Sequence, residues 1–255
     1  MDRIDERITV AIRSYGRAGN VLTANTVPFA EIWVPEKQKD EYEKHYPGRV
    51  VTIPDDEDGT LQKKANAILN HAETPWILML DDDISGIGYW ERGDHFWCDE
   101  GFLKLFFVHY FEMADQLGVH LWGINQATDC MFYRTMTPFA LLAPILGPFG
   151  GHLNPVLRYD ENTGGKEDYD FWLQNIAKYH RTFRVNKYHY RRPAEKQRGG
   201  LSVIRTLDWE LNGADYMANK WGRSVFRGIG GTVGGKAATG KNILNSNVSI
   251  PIKGC

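Results

Sequence analysis

Three consecutive carboxylates, Asp81, Asp82 and Asp83, follow directly on the apolar run Trp76-Ile-Leu-Met-Leu80. Such a run reads as a buried strand. Side chains alternate along an extended segment, so Asp81 and Asp83 are expected to point one way and Asp82 the other. With no lysine or arginine beside them to pair with, two carboxylates on one side repel, and a divalent cation is the natural relief. Ligands of an open parallel sheet bind outside the carboxyl ends of its strands. An Asp-x-Asp placed there can hold Mg²⁺ or Mn²⁺, which bridges a diphosphate and stabilises the charge developing on a departing nucleoside diphosphate.

Two other readings compete for the same residues. One is an acidic turn facing water. The other is a phosphatase of the haloacid dehalogenase type, whose Asp-x-Asp also follows a strand. That motif sits on the first strand and runs on toward Gly-Thr, whereas here it follows the fourth strand and continues Ile84-Ser85-Gly86.

A second acidic group, Glu167, Asp168 and Asp170, opens the amphipathic stretch from Glu167 to Tyr179. Carboxylates at a helix start are favoured by the helix dipole at about 0.3–1 kcal/mol each, which alone accounts for them. The functional reading has one carboxylate take the proton of an attacking hydroxyl: Asp168 first, Glu167 next, and Asp170 holding the acceptor or the local structure. Arg13 and Arg17 flank a polar turn where they stack on a base, pair with phosphate, or stay solvated. Lys63 and Lys64 begin a helix, against the dipole, and a diphosphate at that helix start would offset the cost.

The elements that must position these groups alternate short apolar runs with helix-like stretches, as in parallel α/β layering. Strands are expected at Ile8 to Ile12, Glu31 to Val34, Val50 to Ile53, Trp76 to Leu80 and His120 to Ile124. Helices are expected from Glu36 to Tyr46, around Leu61, Ala65, Ile68 and Leu69, over 99–117 as a largely buried helix, from Glu167 to Tyr179 and from Trp209 to Trp221. The region 128–165, with its prolines and the pair Gly150-Gly151, reads as irregular. At 255 residues, 42% apolar and 24% charged, the chain suits one sizeable soluble domain. We expect a catalytic domain over 1–227 and a glycine-rich tail over 228–255. No apolar stretch reaches the length of a membrane span, and Met1 to Arg7 lacks the apolar core of a secretory signal. Cys98, Cys130 and Cys255 form no close pair, so the expectation is a cytoplasmic protein without a structural disulfide.

In their order along the chain these pieces resemble a GT-A glycosyltransferase: Val10-Ala-Ile-Arg-Ser-Tyr-Gly-Arg17, Asp55 after the third strand, Gly59-Thr-Leu-Gln-Lys-Lys-Ala-Asn66, the aspartates, and Gly164-Gly-Lys-Glu-Asp-Tyr-Asp-Phe-Trp172. More narrowly, Trp33-Val-Pro-Glu36, Tyr46-Pro47, Ile53-Pro-Asp55 and Lys63-Lys-Ala-Asn66 resemble the TET-associated glycosyltransferases, enzymes linked to hydroxymethylated pyrimidines and frequent in phage genomes. The resemblance thins after residue 195. It implies a Rossmann-like, mostly parallel sheet flanked by helices and a nucleotide-sugar donor, UDP-linked. Arg13, Ser14, Tyr15, Arg17, Asp55, Lys63, Lys64, Asn66 and Asp82 would hold the nucleotide, and Asp81 and Asp83 the Mn²⁺ or Mg²⁺. His189 is expected as a further metal ligand, with His152 as the alternative; a structural histidine is the competing reading for either.

The net charge of −2 hides an asymmetry: residues 178–255 hold fifteen Lys/Arg against four Asp/Glu. From Lys178 to Arg198 there are eight basic residues and one acidic residue, with Tyr179, Phe183, Tyr188 and Tyr190 interleaved. Cations can neutralise phosphates and rings can stack on bases, and the family resemblance implies that this segment meets a DNA acceptor, with a base everted for modification. The same composition also fits a basic rim around the donor diphosphate. A protein or glycan acceptor, or a non-catalytic nucleic-acid-binding protein, are the other functions the sequence admits. The tail, Arg227-Gly-Ile-Gly-Gly-Thr-Val-Gly-Gly-Lys236, is expected either to close over bound nucleotide as a lid or to be a disordered terminus.

Overall fold

A computed structural model describes residues 4–126, 133–193, 206–229, 232–233, 236–237 and 246–250. The amino-terminal half lays down β1 (Ile8–Arg13), β2 (Glu31–Pro35), β3 (Val50–Ile53) and β4 (Trp76–Asp81) in the order β3-β2-β1-β4, all parallel. Between them run α1 (Leu22–Thr26), α2 (Lys39–Glu43) and α3 (Leu61–His71). The helix expected from Glu36 to Tyr46 is shorter: a 3₁₀ turn at Glu36–Gln38 leads into α2.

Beyond β4 the sheet becomes mixed. β5 (Gly86–Glu91) and β6 (Asp94–Trp97) form a hairpin that the sequence reading did not anticipate. After α4 (Glu100–Gln116) come β7 (Leu121–Asn125), the short β8 (Phe139–Ala140), β9 (Phe149–Leu153), α5 (Glu167–Tyr179), β10 (Phe183–Arg191) and α6 (Leu207–Trp221). The full order is β3-β2-β1-β4-β9-β7-β10-β5-β6, with β8 paired to β10. β9 lies antiparallel between β4 and β7. The segment read as irregular thus supplies a central strand, invisible to propensity because it is built on Phe149-Gly-Gly-His-Leu153.

The pair Gly150-Gly151 is there for packing. A β-carbon on Gly151 would sit 2.0 Å from Trp122 Nε1, and Trp122 is fully buried between Phe111 and Phe149. Overpacking costs about 1–3 kcal/mol. Gly151→Ala is therefore expected to lower Tm by roughly 3–10 °C in thermal unfolding. An unchanged Tm would show that the Trp122 ring is free to move.

Alternation along the strands divides the core into two faces. Val10, Ile12, Trp76, Leu78, Leu80 and Trp122 face one way, packing with Val21 and Ala24 of α1, Tyr42 of α2 and Phe107 and Phe111 of α4. Ala11, Ile77 and Met79 face the other way, onto Ala65 and Ile68 of α3. Leu121 joins the cluster formed by α5 and α6 on Phe171, Trp172, Ile176 and Met217. α4 is buried along one face only, since Leu105 is 75% exposed.

In the tail, Phe226–Ile229 (β11) pairs antiparallel with Ser246–Val248 (β14), and Thr232–Val233 (β12) with Lys236–Ala237 (β13). Gly230, Gly231, Gly234 and Gly235 of the segment expected as a lid lie outside the described residues, as do Cys130 and Cys255; Cys98 is a free thiol. Among the described residues no helix is long and apolar enough to cross a membrane.

Candidate active site

The two faces of the sheet decide where the aspartates go. Asp81, the last residue of β4, is the register partner of Arg13 at the end of β1, and both lie on the α3/α5 side. Arg13 Nη2 donates to Asp81 Oδ1 at 2.5 Å. Asp82 turns to the opposite side, as alternation requires. There it is buried, accepts from Ser14 Oγ at 2.6 Å and pairs with Arg17. Asp83 lies in the turn beyond, where Arg192 just past β10 stands 4.0 Å away.

The expectation of unpaired carboxylates is corrected on this point. Asp81 and Asp82 each hold an arginine brought from β1 and its loop, 68 and 65 residues away along the chain. Asp83 is the least compensated: burial raises its pKa, Asp81 adds to the rise, and Arg192 opposes it. Burial likewise raises Asp82, to about 6, against the pull of Arg17.

Facing these groups is the start of α5. Tight packing fixes the turn that carries it. Gly164 lies against the Trp209 carbonyl and Gly213 of α6, where β-carbons would clash at 2.9 and 3.0 Å. The buried pair Lys166–Glu210, 2.8 Å apart, ties the turn to the same helix. Gln62 Nε2 of α3 donates to the Gly164 carbonyl at 2.6 Å. So held, Asp168 accepts from the Gly147 amide at 2.9 Å through Oδ2 and from the Tyr169 amide at 2.7 Å through Oδ1. Burial raises its pKa. Glu167 is pushed up to about 8 by burial and by the neighbouring Asp168 charge, with Arg13 opposing.

Two carboxylate oxygens, Asp83 Oδ1 and Glu167 Oε2, are buried without a hydrogen-bond partner. Orphaned carboxylate oxygens are costly in a folded protein, and they point to a missing cation or donor. An oxygen-only set around Asp81 and Asp83 fits Mg²⁺ or Mn²⁺. Among the described residues no three His, Cys, Asp or Glu side chains already form a metal-holding group.

His189 is therefore not gathered with the aspartates. It is buried and shares a hydrogen bond with His95 of β6, Nε2 to Nε2 at 2.9 Å. Burial, then His95, lowers its pKa to about 4. His152, the alternative, is also interior, with Nε2 on the Tyr159 hydroxyl at 2.9 Å and Nδ1 on the Gly150 carbonyl at 3.1 Å. Both side chains make the contacts that the competing, structural reading expects.

The nucleotide residues divide the same way. Ser14 joins Asp82 to the Tyr42 hydroxyl inside the fold. Arg13 and Arg17 are committed to carboxylates and are not solvated loop arginines. Lys64 is buried, bonded to the Ser14 carbonyl and 3.3 Å from Asp58, and its pKa is lowered by burial. Lys63 remains the surface lysine of the two. Asn66 clamps the Tyr159 backbone, accepting from its amide at 2.8 Å and donating to its carbonyl at 2.9 Å. Asp170 is fully buried on Gln174, Lys220 and Trp221, a helix-packing role that leaves nothing for an acceptor. Tyr15 is 42% exposed, with the ammonium groups of Lys37 and Lys64 at 5.8 and 5.4 Å from its ring. Asp55 lies nearby, accepting from the Lys37 amide. Tyr15 and Asp55 thus remain open toward solvent past the ends of β1 and β3, with Lys63 half-buried in the first turn of α3.

The sequence reading did not single out Gly147, and it placed Tyr190 and Arg192 only within the basic segment, not beside the aspartates. The Tyr190 hydroxyl stands 2.8 Å from where a Gly147 β-carbon would be, and burial raises its pKa, with Asp81, Asp168 and Asp83 contributing. Tyr190 lines a pocket of about 340 Å³ with Gln126, Arg191 and Arg192.

The basic segment is also redistributed. Lys178, Arg181 and Arg184 lie at the opposite end of β10 from Arg191 and Arg192, a strand of nine residues away. Its rings are not free to stack on bases: Phe183 and Tyr190 are buried, Tyr188 packs on Phe106, and Tyr179 stacks on His120 at 3.9 Å. Residues 194–205 lie outside the described residues.

Residues 8–101 match the family model described as TET-Associated Glycosyltransferase. No curated protein matches the chain significantly. Among solved structures, glucosyl-3-phosphoglycerate synthase from Mycobacterium tuberculosis, in complex with Mn²⁺, UDP-glucose and glycerol 3-phosphate, is 9% identical, with 94% of this chain and 89% of that chain covered at a TM-score of 0.50. Similar too are S. aureus TarS 1–349 (16% identical, 72% and 59% covered, TM-score 0.47) and the mannosyltransferase PcManGT from Pyrobaculum calidifontis in complex with GDP-Man and Mn²⁺ (12%, 83% and 62%, 0.48). The chain spans less than two thirds of the length of these last two. The fold is that of the GT-A glycosyltransferases.

Proposed function

From a GT-A fold whose residues 8–101 match the TET-associated glycosyltransferases, we propose that the chain transfers a sugar from a nucleotide-sugar, a UDP-hexose, to a hydroxyl of a 5-hydroxymethylated pyrimidine in DNA. What carries this reading is the charge proximity of Asp81 to the Glu167–Asp168 pair around Arg13, together with the buried, unpartnered oxygens of Asp83 and Glu167. The donor and metal observed with the mycobacterial synthase are in keeping with it.

In this reading Tyr15, Asp55 and Lys63 seat the nucleoside and its phosphates. Asp81 and Asp83 hold Mn²⁺ or Mg²⁺, which when bound supplies neutralising charge to the departing nucleoside diphosphate. Arg13 fixes the Asp81 carboxylate, and Arg17 with Ser14 anchors Asp82, so that the turn keeps its shape. Arg192 adds a second positive charge beside the phosphates. As the acceptor oxygen bonds to the anomeric carbon and the bond to the diphosphate breaks, the hydroxyl proton passes to the Glu167–Asp168 pair. Both oxygens of Asp168 already accept amide hydrogens, whereas Glu167 Oε2 is open, so Glu167 replaces Asp168 as the first candidate for the base. Its raised pKa suits a group that collects a proton near neutrality.

The test is thermal unfolding with a panel of nucleoside diphosphates, with and without Mn²⁺. Ligand linkage gives about 2–3 kcal/mol of stabilisation near a hundredfold saturation. A shift for UDP that requires Mn²⁺ is expected. No shift with any nucleotide would remove the enzyme reading.

A further inference from the structure

β6 is an edge strand of the sheet, and edge strands that carry large exposed rings invite unwanted pairing. Here Trp97 is nonetheless 49% exposed. Its ring lies across β5 where a β-carbon on Gly86 would come within 2.8 Å of it, and His95 lies likewise over Gly88 at 3.0 Å. The two glycines therefore make a flat floor for the rings. Trp90, His95, Trp97 and His189 form one contiguous tray: Trp90–His95 at 5.0 Å, His95–Trp97 at 4.4 Å and His95–His189 at 5.0 Å between centroids.

The tray is joined to the cleft by arginines. The Arg191 guanidinium stands 5.8 Å from the Trp97 ring. With Arg192 it also lines the 340 Å³ pocket. Arg192, 51% exposed, reaches toward Asp83 at 4.0 Å. An exposed indole beside two exposed guanidinium groups combines ring stacking with phosphate neutralisation. A neutral glycan would use the ring but would have no use for the paired cations.

We propose that the β5–β6 hairpin, through Trp97, together with Arg191 and Arg192 at the end of β10, forms the docking face for a single-stranded or everted stretch of nucleic acid. Trp97 stacks on a base and the arginines neutralise the flanking phosphates. The proposal rests on the DNA-acceptor reading above and assigns that role to the hairpin, not to the rings of the 178–198 segment.

The experiment measures anisotropy of a fluorescein-labelled single-stranded deoxyoligonucleotide of about ten nucleotides on the full chain. Trp97→Ala and Arg191→Ala are each expected to weaken binding by roughly tenfold, with Trp97→Phe retaining most of it. Arg191→Ala should also reduce the slope of log affinity against log salt by about one. Circular dichroism checks that each variant is folded, and Trp97→Phe with Arg191→Ala carries the test if Trp97→Ala is not. Oligonucleotide binding that is equal in wild type and folded variants overturns the docking face. So does quenching of the tryptophan fluorescence by an uncharged oligosaccharide but not by the oligonucleotide. A UDP and Mn²⁺ thermal shift on wild type, run in parallel, separates the two ideas: a shift without oligonucleotide binding sinks this proposal alone, while no shift with Trp97-dependent oligonucleotide binding sinks the transferase reading alone.

Discussion

Asp83→Asn is expected to abolish Mn²⁺-dependent nucleotide binding while leaving the ligand-free protein at least as stable as before. The Asp83 carboxylate is desolvated and lies in the field of Asp81, and Arg192 at 4.0 Å and Arg17 offset this only in part. Removing its charge relieves the repulsion from Asp81. The same change removes one of the two grips on the cation, so the UDP-dependent rise in Tm should vanish and turnover should fall by at least about a hundredfold. Asp81→Asn makes the contrast. Its carboxylate neutralises the buried Arg13 guanidinium, whose side chain is 7% exposed. Breaking a buried pair costs about 3–5 kcal/mol, and the partial exposure of Asp81 places this case near the lower end. Asp81→Asn should therefore lose both stability and binding. Equal Tm values for the two ligand-free variants, or retained Mn²⁺-dependent UDP binding in Asp83→Asn, would contradict the division of roles drawn from the ion pairs.

The second large effect is a pH dependence centred on Glu167. In the folded protein its pKa stands at about 8 against an ordinary 4.5, first because of burial and then because of Asp168. The folded state therefore binds this proton more tightly than the unfolded chain. The stability from this group is fully present below the ordinary value and is lost as pH rises through the folded one. Metal-free protein in EDTA should lose on the order of a few kcal/mol between pH 5 and pH 8 from this source, read from urea unfolding. Glu167→Gln should flatten that slope. In turnover, Glu167→Gln is expected to lower kcat by about 10²–10⁴ and to remove the rise toward pH 8. If Glu167→Gln kept both rate and pH profile while Asp168→Asn lost them, the base would be Asp168, as the sequence first suggested.

The sequence alone placed the four parallel strands, the helices after the second, third and fourth of them and the aspartate turn, because these depend on local periodicity and on a strand too apolar to face water; it did not place α1. It also determined that Asp82 must diverge from Asp81, since alternation along a strand is a property of the backbone. What it could not show was pairing across long separations. Arg13 with Asp81, Arg17 with Asp82 and Asn66 with Tyr159 are separated by 68, 65 and 93 residues, and no local pattern records them. Such contacts turned expected ligand-binding groups into latches, while burial withdrew His152, His189 and Asp170 from the roles their residue types suggested. β9 and the β5–β6 hairpin were hidden for a related reason: their glycines exist for the indoles of Trp122 and Trp97, which arrive only once the chain has folded. Tertiary packing thus decided which of several chemically able side chains remain open to a ligand.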